Sequence, residues 1–213
     1  MARRKLDAYM TQQAMVLPLF AYVPIKGLVL EPCAGKGAIV QMLHWHPSVD
    51  LVLAADIDAK YGWRVQADAT DPLSIYYRMT DIGPATGKMD WIVTNPPFNK
   101  AAEILEAAWD SGIPNIALLL RLSFLEPTTG RNPYRGRKGL LKQLSGKLSY
   151  LMPFGSPRPS FTGNGKTDST TVAWFVWQRK HKGGTTVITV PDWQMDNVQE
   201  EHVIDAAVPL QEK

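Results

Sequence analysis

The sequence predicts an α/β fold: a Rossmann-like, doubly wound and mostly parallel sheet with an antiparallel strand near the C-terminus. Three observations carry this. Short apolar runs of strand type alternate with helical segments as far as Leu120. The first run, Gly27-Leu28-Val29-Leu30-Glu31, leads through a glycine turn into a helix. Two later runs, Leu148 to Met152 and Thr170 to Trp177, flank a polar loop and are expected to pair antiparallel.

In chain order, residues 6–20 read as a short extended lead into a helix, with Thr11 as its N-cap. After the strand at 27–31 comes the turn Pro32-Cys33-Ala34-Gly35-Lys36-Gly37. Ala38 to Trp45 then spaces its apolar residues as a helix does. Leu51 to Ala55 is a second buried strand. Trp63 to Ala67 leads to Asp68, and Asp71 caps a helix begun by Pro72. Met89 to Thr94 is a strand, Lys100 to Trp109 an amphipathic helix, and Asn115 to Leu120 the fifth strand. Beyond Arg121-Leu122-Ser123-Phe124-Leu125-Glu126 regularity fades. A short helix over Leu140 to Leu144 precedes the antiparallel pair, and Val187 to Val190 reads as an edge strand. This arrangement implies one domain over residues 1–178, with basic insertions at about 126–147 and 153–169. Residues 179–213 hold the edge strand and an acidic surface tail.

Bulk properties narrow the function classes. The 213 residues, 45% hydrophobic and 20% charged, suit one well-cored domain. No apolar run approaches the ~20 residues that span a bilayer. Met1-Ala2-Arg3-Arg4-Lys5 is followed by Leu6-Asp7-Ala8-Tyr9 rather than an apolar core, so no secretory signal is expected. The single Cys33 rules out an internal disulfide and fits a reducing, cytoplasmic compartment. His44, His46, His181 and His202 have no partners at metal-site spacing, so no metal is expected. Charge is unevenly spread. Between Arg121 and Asp168, nine Lys and Arg face only Glu126 and Asp168, a net +7 in a chain of net +3. From Gly183 onward six acids face only Lys213. Such a basic block suggests a face for a polyanion.

The chemistry concentrates at strand ends. Gly35 and Gly37 let the backbone approach a ligand closely at the start of a helix. The turn is neither a dinucleotide fingerprint nor a P-loop, since Ala38 stands where a hydroxyl would hold Mg²⁺, and a phosphate-free ligand is favoured. Asp56 lies 21 residues after Gly35, close to the ~20-residue offset at which an acid meets ribose hydroxyls. Asp68, at another strand end, is placed to accept from an adenine amine. Asp90-Trp91-Ile92-Val93-Thr94 stops at Asn95-Pro96-Pro97-Phe98. The two prolines forbid helix or central strand and push Asn95 into extended conformation. The amide oxygen of Asn95 and the Pro96 carbonyl suit the two hydrogens of an exocyclic amine, with Phe98 stacked on its ring.

Together these residues resemble a class I S-adenosylmethionine-dependent methyltransferase, in particular the small adenine-N6 DNA methyltransferases of phages and prophages. The resemblance spans roughly residues 7–178. It rests on Asn95-Pro96-Pro97-Phe98, Glu31-Pro32-Cys33-Ala34-Gly35-Lys36-Gly37, Arg121 to Glu126, and Arg158-Pro159-Ser160-Phe161. Asp7-Ala8-Tyr9-Met10-Thr11 is similar to the family's N-terminal cofactor motif, with Gln12 where proline is common. The resemblance implies S-adenosylmethionine as cofactor, held by Tyr9, Thr11, Glu31, Pro32, Gly35, Gly37, Asp56, Asp68 and Asn95. Asn95, Pro96, Pro97 and Phe98 become the catalytic loop around a flipped base. Arg131, Arg135, Arg137, Lys138, Arg158, Phe161 and Lys166 become the nucleic-acid contacts, Arg158 and Phe161 nearest the flipped nucleotide. DNA is the implied partner, for a monomer or weak homodimer in a bacterial or phage-infected cell, with or without a restriction partner. RNA-adenine and protein-glutamine methylation are the competing activities, and a non-catalytic nucleic-acid-binding module is the competing class. Cytosine N4 is disfavoured because related cytosine enzymes tend to carry Ser at the position of Asn95.

Overall fold

The computed structural model describes residues 10–71, 89–126, 137–159 and 170–208. Its centre is an eight-stranded sheet in the order β3-β2-β1-β4-β5-β7-β6-β8. The strands are β1 (Gly27–Glu31), β2 (Val49–Asp56), β3 (Val65–Gln66), β4 (Trp91–Thr94), β5 (Asn115–Arg121), β6 (Leu148–Pro153), β7 (Val172–Gln178) and β8 (Thr186–Val187). The described helices are α1 (Leu17–Tyr22), α2 (Ala38–Trp45), α3 (Ala101–Asp110), α4 (Arg137–Gln143) and α5 (Glu200–Ala207). Strands β1 to β5 are parallel, β7 runs antiparallel between β5 and β6, and β8 pairs parallel with β6. The expected doubly wound sheet with an antiparallel strand near the C-terminus is therefore present. The helix expected from Pro72 lies outside the described residues.

Period-two alternation explains why the central strands are apolar throughout. On β7, Val172, Trp174 and Val176 enter one core while Ala173, Phe175 and Trp177 enter the other. Likewise on β5, Ala117 and Leu119 face the first core, and Ile116, Leu118 and Leu120 the second. A strand buried on both faces has no solvent side on which to place polar residues. The first core also holds residues from α1, α2 and α5; the second is closed by α3 and Phe124. Each fully buried large side chain contributes roughly 1.5–3 kcal/mol.

Two expectations need correction. Thr11 does not cap a helix: the first 3₁₀ turn, Gln13–Met15, has Gln12 at its N-cap and no side-chain cap bond. The acidic C-terminal segment is not a surface tail over its described length. Trp193, Val198 and Val203 are buried in the first core, because α5 presents Val203 to it while Glu200 and Glu201 stay outside. Trp193 Nε1 donates to the Pro157 carbonyl (2.9 Å) and packs edge-on against Phe154. No helix among the described residues is long and apolar enough to cross a membrane.

Candidate active site at the strand ends

In this strand order the chain leaves β1 toward β2 on one side and reaches β4 on the other. The carboxyl ends of β1 and β4 thus flank a topological switch point, where open α/β sheets bind ligands. An open cleft lies there. Its walls come from four places: Met10 and Thr11; Cys33 to Lys36 with Ala38 and Ile39; Asp56 to Asp58 with Lys60 and Tyr61; and Asn95 with Pro97.

The glycine turn is built by hydrogen bonds to its own backbone. Gly35 (φ 51°) and Gly37 (φ 86°) adopt left-handed conformations that favour glycine. Gly35 N–H donates to Asp56 Oδ2 (2.8 Å), and Ala34 N–H to the Ala55 carbonyl (2.9 Å). Asp58 N–H donates to Asp56 Oδ1 (2.8 Å), so this one carboxylate ties the β1 and β2 turns together. Trp63 joins the site with no local sequence signal to mark it. Its Nε1 donates to the Gly35 carbonyl (2.8 Å), and its ring lies where a Cβ on Gly37 would meet it at 3.1 Å.

Behind the turn, Glu31 is completely buried. Its Oε1 accepts from Cys33 N–H (3.1 Å) and from the Thr94 hydroxyl, joining the β1 and β4 ends. Its Oε2 has no hydrogen-bond partner among the described residues. Burial, opposed by the Thr94 and Cys33 bonds, pushes its pKa from 4.5 up to about 8. Burial and the neighbouring Glu31 also push the Cys33 thiol well above its ordinary value, so it is not an activated nucleophile.

The proline turn is held differently. Asn95 is 7% exposed, and its Nδ2 donates to Thr11 Oγ1 (3.0 Å) across 84 residues of sequence. Pro96 is buried, and the Pro97 carbonyl accepts from Lys100 N–H (2.8 Å) as α3 begins. Phe98 is half-buried against the first core, with the Arg121 guanidinium 4.8 Å from its ring centroid. That pairing joins the ends of β4 and β5.

Of the sequence-derived candidates, the cleft brings together Thr11, Gly35, Asp56, Asn95 and Pro97. Glu31, Pro32, Gly37 and Pro96 are buried and, like the half-buried Phe98, are not among its lining residues. Asp68 is exposed and also outside it, its Oδ1 accepting from the backbone and hydroxyl of Thr70. Arg158 is exposed on the loop after β6. Arg137 and Lys138 belong to α4, but their side chains lie outside the described residues, as do Tyr9, Arg131, Arg135, Phe161 and Lys166 entirely. Part of the basic block is structural: Lys147 Nζ donates to the carbonyls of Arg179 and His181. No cluster that could hold a metal ion occurs among the described residues.

No family model matches the chain, and no curated protein is similar to it in sequence. Solved structures do resemble it. A type I restriction-modification system methyltransferase subunit from Streptococcus thermophilus superposes with a TM-score of 0.51 at 12% identity, over 92% of this chain. The match covers 51% of that subunit, so the present chain spans about half its length. A protein described as a predicted O-methyltransferase from Agrobacterium tumefaciens gives 0.49 at 11% identity, over 93% of this chain and 98% of its own. At 12% identity the first likeness establishes the fold alone, a Rossmann-like, doubly wound α/β sheet.

Proposed function

We propose that this protein transfers a methyl group from S-adenosylmethionine to the exocyclic N6 amine of adenine in DNA. The observation that carries the reading is the meeting of two unlike turns in one cleft. A glycine turn braced by an acid stands beside a buried asparagine that two prolines hold at a strand end.

The cleft fits the cofactor's chemistry. It is open and lined by both backbone and polar side chains, as a site for a nucleoside carrying an amino-acid arm requires. It has a glycine cradle with open space above Gly35. Gly35 and the turn around Gly37 would hold the amino-acid arm. Asp56 would accept from the ribose, using lone pairs left by its two backbone donors. Asp68, exposed and outside the lining, would accept from the adenine amine. When bound, S-adenosylmethionine supplies a methyl group on a sulfonium, whose sulfur leaves as a neutral thioether.

The protein's own task is to make a poor nucleophile attack. An adenine amine delocalises its lone pair into the ring. The Asn95 amide oxygen and the Pro96 carbonyl would accept its two hydrogens, favouring a tetrahedral nitrogen and stabilising the positive charge that develops there. Phe98 would stack on the flipped base, offsetting part of the few kcal/mol of unstacking. The C–N bond forms as the C–S bond breaks, and the resulting N6 cation, a strong acid, loses one proton to water. No strong general base is needed, and in-line positioning is the main requirement. The basic segments at about 126–147 and 153–169, with Arg158, would track the phosphates.

The test is methyl transfer from labelled S-adenosylmethionine to duplex DNA, single-stranded DNA, RNA and protein, followed by nucleoside analysis. N6-methyladenine in DNA is the expected product. Label in RNA alone, or in protein alone, would replace the substrate while leaving the cofactor reading intact. Cofactor binding without transfer to any of the four would favour a non-catalytic binding module.

A further inference from the structure

We infer that Thr11 is a positioning residue that sets which end of the Asn95 amide faces the substrate. The inference rests on the reading of Asn95 as acceptor for the target amine. An asparagine amide has one acceptor and one donor end of nearly equal size, and only the oxygen can accept an N–H. An inverted amide would point two hydrogens at the amine and repel it. Something must therefore choose between two orientations that packing alone barely distinguishes. Here Nδ2 donates to Thr11 Oγ1 at 3.0 Å, which directs Oδ1 away from Thr11. Both residues line the same cleft.

The two partners are each fixed from behind. Thr94, immediately before Asn95, is tied by its hydroxyl to the fully buried Glu31, and Pro96 restricts Asn95 from the other side. Thr11 lies just before the 3₁₀ turn Gln13–Met15, in which Ala14 and Met15 are buried. The Met15 carbonyl accepts from Trp174 Nε1 (2.7 Å) on β7, and Gln13 Nε2 donates to Gln41 Oε1 (2.7 Å) on α2. The N-terminal segment is thus anchored to the sheet and to α2, and carries its hydroxyl to Asn95 as a fixed strut. This makes the side chain a determinant of turnover more than of cofactor affinity.

The experiment compares wild type, Thr11→Val and Thr11→Ser. Valine keeps the shape of threonine without its hydroxyl, and serine keeps the hydroxyl. Cofactor affinity is read by calorimetry with S-adenosylhomocysteine. Turnover is read as kcat for methylation of mixed-sequence duplex DNA at saturating cofactor. Amide orientation is read from the Asn95 Nδ2 proton resonances in ¹⁵N-labelled protein, which need no substrate. Thr11→Val is expected to lower kcat by about 10², far more than it lowers S-adenosylhomocysteine affinity, and to speed solvent exchange of the Asn95 Nδ2 protons. Thr11→Ser is expected to restore both properties. Loss of cofactor affinity in Thr11→Val with kcat unchanged would overturn the inference and make Thr11 a cofactor ligand. Unchanged Asn95 Nδ2 exchange in Thr11→Val would overturn it equally. If wild type methylates no DNA while Asn95 Nδ2 exchange still depends on Thr11, the proposed substrate fails and the amide assignment does not.

Discussion

The two turns that form the cleft follow neighbouring parallel strands, yet they are made rigid by opposite means. The Pro32–Gly37 turn keeps its backbone donors and spends them on neighbours: Cys33 on Glu31, Ala34 on Ala55, Gly35 on Asp56 and Gly37 on Ala34. It needs left-handed φ values, so it needs glycine. The Asn95–Phe98 turn has two residues without a donor at all, and is fixed by ring geometry, burial and one long-range bond to Thr11. A turn that gives up its N–H groups leaves carbonyls to face a ligand's hydrogens. A turn braced by its own N–H groups, with open space at Gly35, lets a ligand lie close along its backbone. The difference in backbone chemistry therefore predicts a division of labour: cofactor affinity on the glycine turn, methyl-transfer rate on the proline turn.

Glu31 touches both turns and gives the largest expected effect on stability. Its folded pKa is raised, from 4.5 to about 8, so its contribution is complete below pH 4.5 and is lost as pH rises through about 8. In that window the unfolded chain ionises while the folded chain holds its proton, a slope of up to about 1.4 kcal/mol per pH unit. Glu31→Gln mimics the neutral acid, and its thermal midpoint should fall less than that of wild type between pH 5 and pH 8. Parallel melting curves would show Glu31 to be ionised and partnered instead.

Asp56→Asn comes next. One carboxylate oxygen now accepting from a backbone N–H becomes an NH₂ group facing a donor, at a cost of about 1–3 kcal/mol. S-Adenosylhomocysteine affinity, measured by calorimetry, should fall while kcat at saturating cofactor stays near wild type. A fall in kcat alone would break the division between the turns. Gly37→Ala should follow, destabilising by about 1–2 kcal/mol for left-handed backbone. Contact with Trp63 adds to this, and melting midpoint and cofactor affinity should drop together. Trp63→Phe is the mildest: it removes one hydrogen bond to Gly35 and should cost about 0.5–1.5 kcal/mol, read by denaturant titration.

Much of this architecture is legible without coordinates because it follows from local signals. Gly27–Glu31 and Ala38–Trp45 match their expected bounds, since burial on both strand faces and a 3.6-residue period are strong patterns. The order of Gly35, Asp56 and Asn95 along alternating elements likewise places them at strand ends on one side of a sheet. What escapes is whatever depends on partners far apart in sequence. Thr11 has the composition of an N-cap, and only the 84-residue closure shows that its hydroxyl meets Asn95. The pairings of Trp63 with Gly35, Arg121 with Phe98 and Trp193 with Pro157 are of the same kind. The acidic C-terminal segment hides its buried Trp193, Val198 and Val203 among charges, because a short helix needs only one apolar stripe to dock.

The role of Asn95 is tested most directly by the nucleoside content of DNA incubated with S-adenosylmethionine and either wild type or Asn95→Ala. Wild type should give N6-methyladenine and the variant about 10²-fold less or lower still, while still binding S-adenosylhomocysteine. Equal N6-methyladenine from both proteins, or methyl groups on another atom of the DNA, would contradict that role.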